Sequence, residues 1–348
     1  MDVEGRDSDA VRNAARNAVA SAVRDGWLTM RTTGDRAQPG ARPKRDTLRS
    51  LRLGAIWPAL PSRDQHLLLW LLGADIVTAR LAALLVYGQL RIAQRRLGRL
   101  TELDVLRGFW AAGTQRPRGR YAYVLTRAAR LELERLAWPE GRPDRPPEPP
   151  PSMPSHQLAT HDIFAAFLAA AAPTQQEGLG IWIPERAGGQ LFGGFLRPDA
   201  IAGIRAGDRA LTLFVERDLG TERGESLAQK IRRYGSVLDR IASEAVHVGF
   251  VVDSVRRGKT LMQSATRQYG RGGPFVMATS TDVLVDPFGA RWFDGEAEWS
   301  TRELAKAPVP DDWLLLSPGC LADPDAIEAL DDRGASMLSA LRPYVPAP

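Results

Sequence analysis

Three residue types at a suggestive spacing open the functional question. Asp199 follows a proline in Pro198-Asp199. Glu216 and Asp218 close the run Leu213-Phe214-Val215-Glu216-Arg217-Asp218, and Lys230 comes next. Two carboxylates on neighbouring strands with an ammonium close by are the groups that metal-dependent phosphodiester cleavage requires. The lysine stands out because the chain holds 46 Lys and Arg, of which only Lys44, Lys230, Lys259 and Lys306 are lysine. An ammonium is a compact point charge with a tunable pKa, which a guanidinium is not.

Strand periodicity indicates how these groups meet. Alternation puts Thr212, Phe214, Glu216 and Asp218 on one face and Leu213, Val215 and Arg217 on the other. The turn Ala206-Gly207-Asp208-Arg209 makes a hairpin with the preceding strand, and Asp199 lies as far from that turn as Glu216 or Asp218 does. Cross-strand pairing then brings Asp199 and Glu216 within reach of one ion, and hard oxygen donors of this kind suit Mg²⁺ or Mn²⁺. Lys230 falls about one turn into the next helix, from which it can reach back to steady a water or a phosphate. Tyr234 shares its helix face and reads either as a packing residue or as a group that contacts substrate or acts as nucleophile. Asp218 reads either as part of the catalytic set or as a cap on the turn Gly220-Thr221-Glu222.

The elements that must hold these residues follow from patterning. A helix over 160–171 opens the second domain, with strands at 180–184, 195–205 and 210–218. A helix over 225–241, a strand over 246–253, a helix over 254–268 and a strand over 275–278 follow. Val283-Leu284-Val285-Asp286 reads as a last strand, and Gly188-Gly189 with Gly193-Gly194 as shaping a hairpin. Upstream, residues 63–138 read helix, helix, helix, hairpin, helix, the order of a winged helix-turn-helix. Thr78 caps the second helix and Thr126 the last. In the third helix Leu90, Ala93, Leu97, Leu100 and Leu103 share a face, while Arg91, Arg95 and Arg99 recur at steps of four, with Arg96 nearer the apolar edge. The hairpin turn carries Arg116, Arg118 and Arg120. Over residues 91–130 there are 10 arginines against Glu102 and Asp104, a pattern suited to phosphate contact with double-stranded DNA.

Organisation and composition bound the rest. Residues 1–62 read as a flexible segment, 139–155 as a proline-rich extended linker, 156–299 as the second domain and 300–348 as a less regular tail with a short helix near 325–341. Residues 1–150 carry a net charge of +10 and residues 151–348 a net of −5, giving the total of +5. A basic half beside an acidic half points to one part that holds a polyanion and another that does chemistry. A single cysteine, Cys320, excludes an intrachain disulfide and a cysteine-cluster metal site, and suits a reducing cytoplasm. No apolar run reaches the roughly 20 residues of a membrane helix, and no Walker loop is present. His156 and His161 lie five apart, poorly aligned for one metal.

Pro198-Asp199, Glu216-Arg217-Asp218 with Gly220-Thr221-Glu222, Lys230 and Tyr234, behind a winged helix, resemble the actinobacterial and firmicute replication-relaxation family. That family is similar to conjugative relaxases of the MOB-C class, and the resemblance covers roughly residues 63–260. His156-Gln157-Leu158 and His161-Asp162-Ile163 match its segment opening the second domain. The resemblance implies an α/β (α+β) chain: a winged helix, then a PD-(D/E)xK nuclease-like domain with a mixed sheet flanked by helices. It implies Asp199 and Glu216 as metal ligands, Lys230 as the catalytic lysine and Asp162 as an auxiliary acid. The usual nuclease motif has lysine two residues after the glutamate; Asp218 holds that place here. The expected function is metal-dependent nicking or relaxation of plasmid or mobile-element DNA, with other replication or transfer proteins as further partners. The alternatives are a DNA-binding replication accessory or transcription regulator with a degenerate nuclease fold, and a protein-binding adaptor.

Overall fold

Helix α1 (Ser62–Ala74) opens on the polar residues Ser62 to His66 and is apolar from Leu67 on, with Leu67, Leu68, Leu71 and Leu72 buried in the first of two compact units. The computed structural model describes residues 53–111, 120–137, 154–171, 176–192, 194–220, 224–241, 244–271, 273–309, 315–316 and 318–320. The units divide between Ser155 and His156, and the first also takes in residues 318–320. Flexibility of 1–62, the linker and the helix near 325–341 fall wholly or largely outside the described residues. Among the described residues no helix is long and apolar enough to cross a membrane.

In the first unit α1 leads to β1 (Ile76–Thr78), α2 (Ala79–Ala82), α3 (Leu90–Glu102), β2 (Leu106–Ala111), β3 (Arg120–Leu125) and α4 (Arg127–Ala137). Thr78 accepts from the Leu81 N–H at 3.2 Å and caps α2, while Thr126 accepts from the Ala129 N–H at 3.2 Å. Residues Ala83–Tyr87 continue α2 as a wider π-type turn, which Gly88 closes at φ 73, a conformation that costs glycine nothing. The helix and hairpin order is the expected one, with β1 added. It pairs antiparallel with β3, giving a sheet of order β1-β3-β2. A buried ion pair, Arg130 to Asp75 at 2.6 Å, ties α4 to the end of α1. Leu90 departs from the apolar stripe expected of α3. It is exposed at the helix start, while Ala93, Leu97 and Leu100 are buried.

The second unit contains α5 (Pro154–Ala170), β4 (Glu177–Pro184), α6 (Glu185–Leu191), β5 (Ala200–Ala206), β6 (Arg209–Asp218), α7 (Gly224–Ile241), β7 (Val246–Val252), α8 (Val255–Tyr269) and β8 (Phe275–Thr279). Then come α9 (Ser280–Val285), β9 (Arg291–Phe293), β10 (Glu298–Ser300), α10 (Thr301–Leu304) and β11 (Ala307–Pro308). The sheet runs β10-β9-β8-β7-β6-β5-β4, with β11 pairing β6. β6, β7 and β8 are parallel and the other pairings antiparallel, so the chain is a mixed α+β protein. Right-handed crossovers put α7 and α8 on one face. There Tyr234 meets Phe214 edge-on at 5.7 Å. α5 covers the other face, where Phe164 stacks on Trp182 at 5.0 Å. Trp182 lies in register with Ala202 and Leu213, the neighbour of Phe214.

Two expectations are corrected. Val283-Leu284-Val285 is not a strand but part of α9, because Thr279 accepts from the Asp282 N–H at 3.2 Å and caps a helical turn. Gly188 and Gly189 shape no hairpin. They sit in α6 where the returning chain passes close, so that a Cβ would lie 3.3 Å from Pro198 and 3.1 Å from Arg197. Residues 195–199 accordingly stay outside β5.

Candidate functional site

The register of β5 and β6 puts Ala200 opposite Val215, so Asp199, one residue before β5, faces Glu216. Glu216 is buried, and its two oxygens take different donors. Lys230 on α7 donates to Oε2 at 2.8 Å, and the Tyr234 hydroxyl, one turn on, donates to Oε1. Asp199 is held as completely. Oδ2 accepts from the Arg217 N–H at 2.7 Å, and Oδ1 pairs with Nε2 of His156, in the first turn of α5, at 2.9 Å. Asp199, Glu216 and Lys230 are thus brought together as their spacing predicts, by a hairpin and by the helix that follows it.

The electrostatics follow from this packing. Burial and the facing Asp199 charge push the Glu216 carboxyl up to about 7, against the downward pull of Lys230 and Tyr234. For His156, burial favours the neutral ring, but the Asp199 hydrogen bond and nearby carboxylates outweigh it and raise the pKa. Burial also raises Glu185, at the start of α6, whose charge is felt by Asp199 and His156 and which pairs with Arg197 at 2.9 Å.

Asp218 and Tyr234 do not stand as free catalytic groups. Arg257 of α8 grips Asp218 at 2.6 and 3.1 Å, and Asp218 also accepts from the Gly220 N–H, which is the turn-capping role. Tyr234 is fully buried, with its hydroxyl directed at Glu216 rather than at solvent. Arg217, on the opposite face, binds Asp253 and the Val251 carbonyl at 2.9 Å, and Ser280 donates to Asp253 at 2.9 Å. His161 is buried on α5, one residue before the half-buried Asp162. His156, Glu185 and Arg257 were not singled out for the site. His156 and Glu185 reach it only through helix starts whose position the sequence leaves open, and Arg257 lies 39 residues from its partner.

Among the described residues no group of three or more His, Cys, Asp or Glu is arranged to hold a metal. The facing pair Asp199 and Glu216 does supply hard oxygen donors. Each of the four oxygens keeps a lone pair beyond the protein hydrogen bond described above. That donor chemistry fits Mg²⁺ or Mn²⁺ at a site completed by water or phosphate.

In the first unit Arg91, Arg95 and Arg99 are exposed along α3. Arg99 pairs with Glu102 at 2.9 Å in the open, a bond that costs little to exchange. Arg96 turns inward and grips the buried Asp64, with Nε at 3.1 Å from Oδ1, and Tyr87 donates to the same oxygen at 2.8 Å. Arg96 is therefore a structural cation rather than an open one. Arg120 is exposed at the start of β3, while Arg116 and Arg118 lie outside the described residues.

The family model described as replication-relaxation matches residues 70–252, more than half of the chain. No curated protein and no solved structure matches it.

Proposed function

The chain belongs to the replication-relaxation family, and from that premise we propose that it binds duplex DNA of a plasmid or mobile element and nicks it. The first unit is read as a winged helix that lays the Arg91, Arg95 and Arg99 stripe of α3 on the duplex, with the hairpin arginines on the adjacent backbone. The second unit is read as a PD-(D/E)xK-like nuclease. The observation that carries this reading is the juxtaposition of Asp199, Glu216 and Lys230, with Lys230 2.8 Å from Glu216.

The residues divide the work. Asp199 and Glu216 would hold Mg²⁺ or Mn²⁺, which supplies an activated water and neutralises charge growing on the phosphate. Lys230 presents an ammonium to that same charge. Tyr234 fixes the Glu216 rotamer, and His156 fixes Asp199. Arg257 neutralises Asp218, so a third carboxylate does not repel the phosphate. Tyr234 is too deeply buried to attack DNA, so the reading calls for hydrolysis and for products free of attached protein.

A second reading, DNA binding without cleavage, draws on two observations: Asp218 fills the usual lysine place, and every Asp199 and Glu216 oxygen already accepts from a protein donor. Supercoiled plasmid carrying the cognate origin separates the two. Open circles formed by the wild type with Mg²⁺ or Mn²⁺, and lost with EDTA or in Glu216→Ala, support cleavage. DNA binding with no nicking by the wild type supports the second reading.

A further inference from the structure

The hairpin of the first unit carries a feature that duplex binding leaves unused. Trp110 on β2 is 66% exposed and Tyr121 on β3 is 41% exposed, although residues of this size are normally buried or partnered. They are a directly paired cross-strand couple, with ring centroids 5.1 Å apart at 69°, and Tyr121 in turn meets Tyr123 edge-on at 5.2 Å. The arrangement is built. Tyr121 lies back across Gly108, where a Cβ would come within 2.3 Å of its hydroxyl, so the glycine gives the ring its bed. Trp110 is the more exposed of the pair, so much of its indole stays open to solvent.

The charge of the hairpin as a whole indicates what it fits. Arg107 and Arg120 are exposed on the same two strands, on the face opposite Trp110 and Tyr121, since Trp110 pairs with Tyr121 and Ala111 with Arg120. From Val105 to Leu125 the sequence has four arginines and neither Asp nor Glu. A hairpin with an exposed aromatic couple on one face and only cationic charge in its sequence matches a ligand that offers both a flat ring and a backbone anion. Bases in an intact duplex are already stacked and cannot present their faces, whereas single-stranded DNA can.

We infer that the β2–β3 hairpin is a stacking platform for unpaired bases of single-stranded DNA, with Trp110 and Tyr121 as the stacking side chains and the positive charge of the hairpin drawing in the strand's phosphates. The platform belongs to the first unit, and the Asp199, Glu216 and Lys230 cluster to the second. It would hold a strand that opens when supercoiled DNA is relaxed or an origin is melted.

The test uses the full chain and two fluorescent probes, a 15-nucleotide oligo(dT) and a duplex of the same length, read by anisotropy. Base stacking is sequence-tolerant, and losing one such contact costs about tenfold in affinity. Trp110→Ala is expected to weaken oligo(dT) binding about tenfold and leave duplex affinity within about twofold, while Trp110→Phe retains most of the oligo(dT) affinity. Unchanged oligo(dT) binding by Trp110→Ala overturns the inference. So does an equal loss on both probes, or a change of oligomeric state on sedimentation, which would mean that a second copy covers the patch. Should Trp110→Ala fail to fold, the wild type decides. Photo-crosslinking to 5-iodouracil oligonucleotide must map to Trp110 or Tyr121, and crosslinks only elsewhere overturn the proposal.

Discussion

Glu216 sets the terms for its neighbours: Lys230 and Tyr234 donate to it, and Asp199 faces it. Its folded pKa of about 7 lies above the ordinary carboxyl value, so the folded state holds this proton more tightly than the unfolded chain does. The associated stability is full below the unfolded pKa near 4.5 and is lost as pH rises through 7. Thermal unfolding between pH 5 and 8 without metal should therefore show a decline in wild type that Glu216→Gln makes shallower, the raised His156 pKa contributing in the same direction. Nicking, which needs the carboxylate, should rise over the same range. Two neighbouring arginines of α3 should separate cleanly. Arg96→Ala strands the buried Asp64 and should lower unfolding free energy by about 3 kcal/mol in urea. Arg95→Ala should leave stability unchanged and weaken DNA binding. The Asp199–Glu216 pairing was legible because alternation and a recognisable turn fix the register of a hairpin. The partners Arg257 and His156 were not, since no local pattern reveals which side chains distant helices bring to a strand end.

Short elements were harder to read than long ones, for a physical reason. β1 is three residues, too few for alternation to show, and exists because Ile76, Val77 and Thr78 find Val124, Tyr123 and Ala122 across β3. Val283-Leu284-Val285 has strand-like composition, yet the Thr279 cap and the polar Ser280-Thr281-Asp282 start decide for helix. The helices α3, α7 and α8 and the strand β6 were legible because each sustains its period over several turns or pleats, and β7 because it is a short continuous apolar, β-branched run. Packing within β7 depends on one glycine. A Cβ at Gly249 would lie 2.8 Å from both Leu213 and Trp292. Trp292 cannot yield easily, because its ring N–H donates to Thr301 at 2.8 Å and Thr301 to the Pro287 carbonyl at 2.6 Å. Gly249→Ala should thus overpack the core and cost about 1–3 kcal/mol, measured by denaturant unfolding.

Over the whole molecule, the charge split sets a +10 half holding the arginine stripe against a −5 half holding the carboxylates. This asymmetry was legible from counting alone. Which arginines stay open was legible in part: helical spacing set Arg96 nearer the apolar edge, and the fold adds that it turns inward to Asp64. If Arg91, Arg95 and Arg99 each meet one phosphate, replacing all three by alanine should lower the slope of log affinity against log salt by about 0.9 per contact. Filter binding across a salt series reads this directly. The central claim is that the Asp199, Glu216 and Lys230 cluster cuts DNA, and Lys230→Met tests it most directly. At matched melting temperature and DNA affinity, the initial rate of conversion of supercoiled cognate plasmid to open circle should fall at least about 100-fold from wild type. Equal rates for the two proteins, or no nicking by the wild type with Mg²⁺ or Mn²⁺, would contradict it.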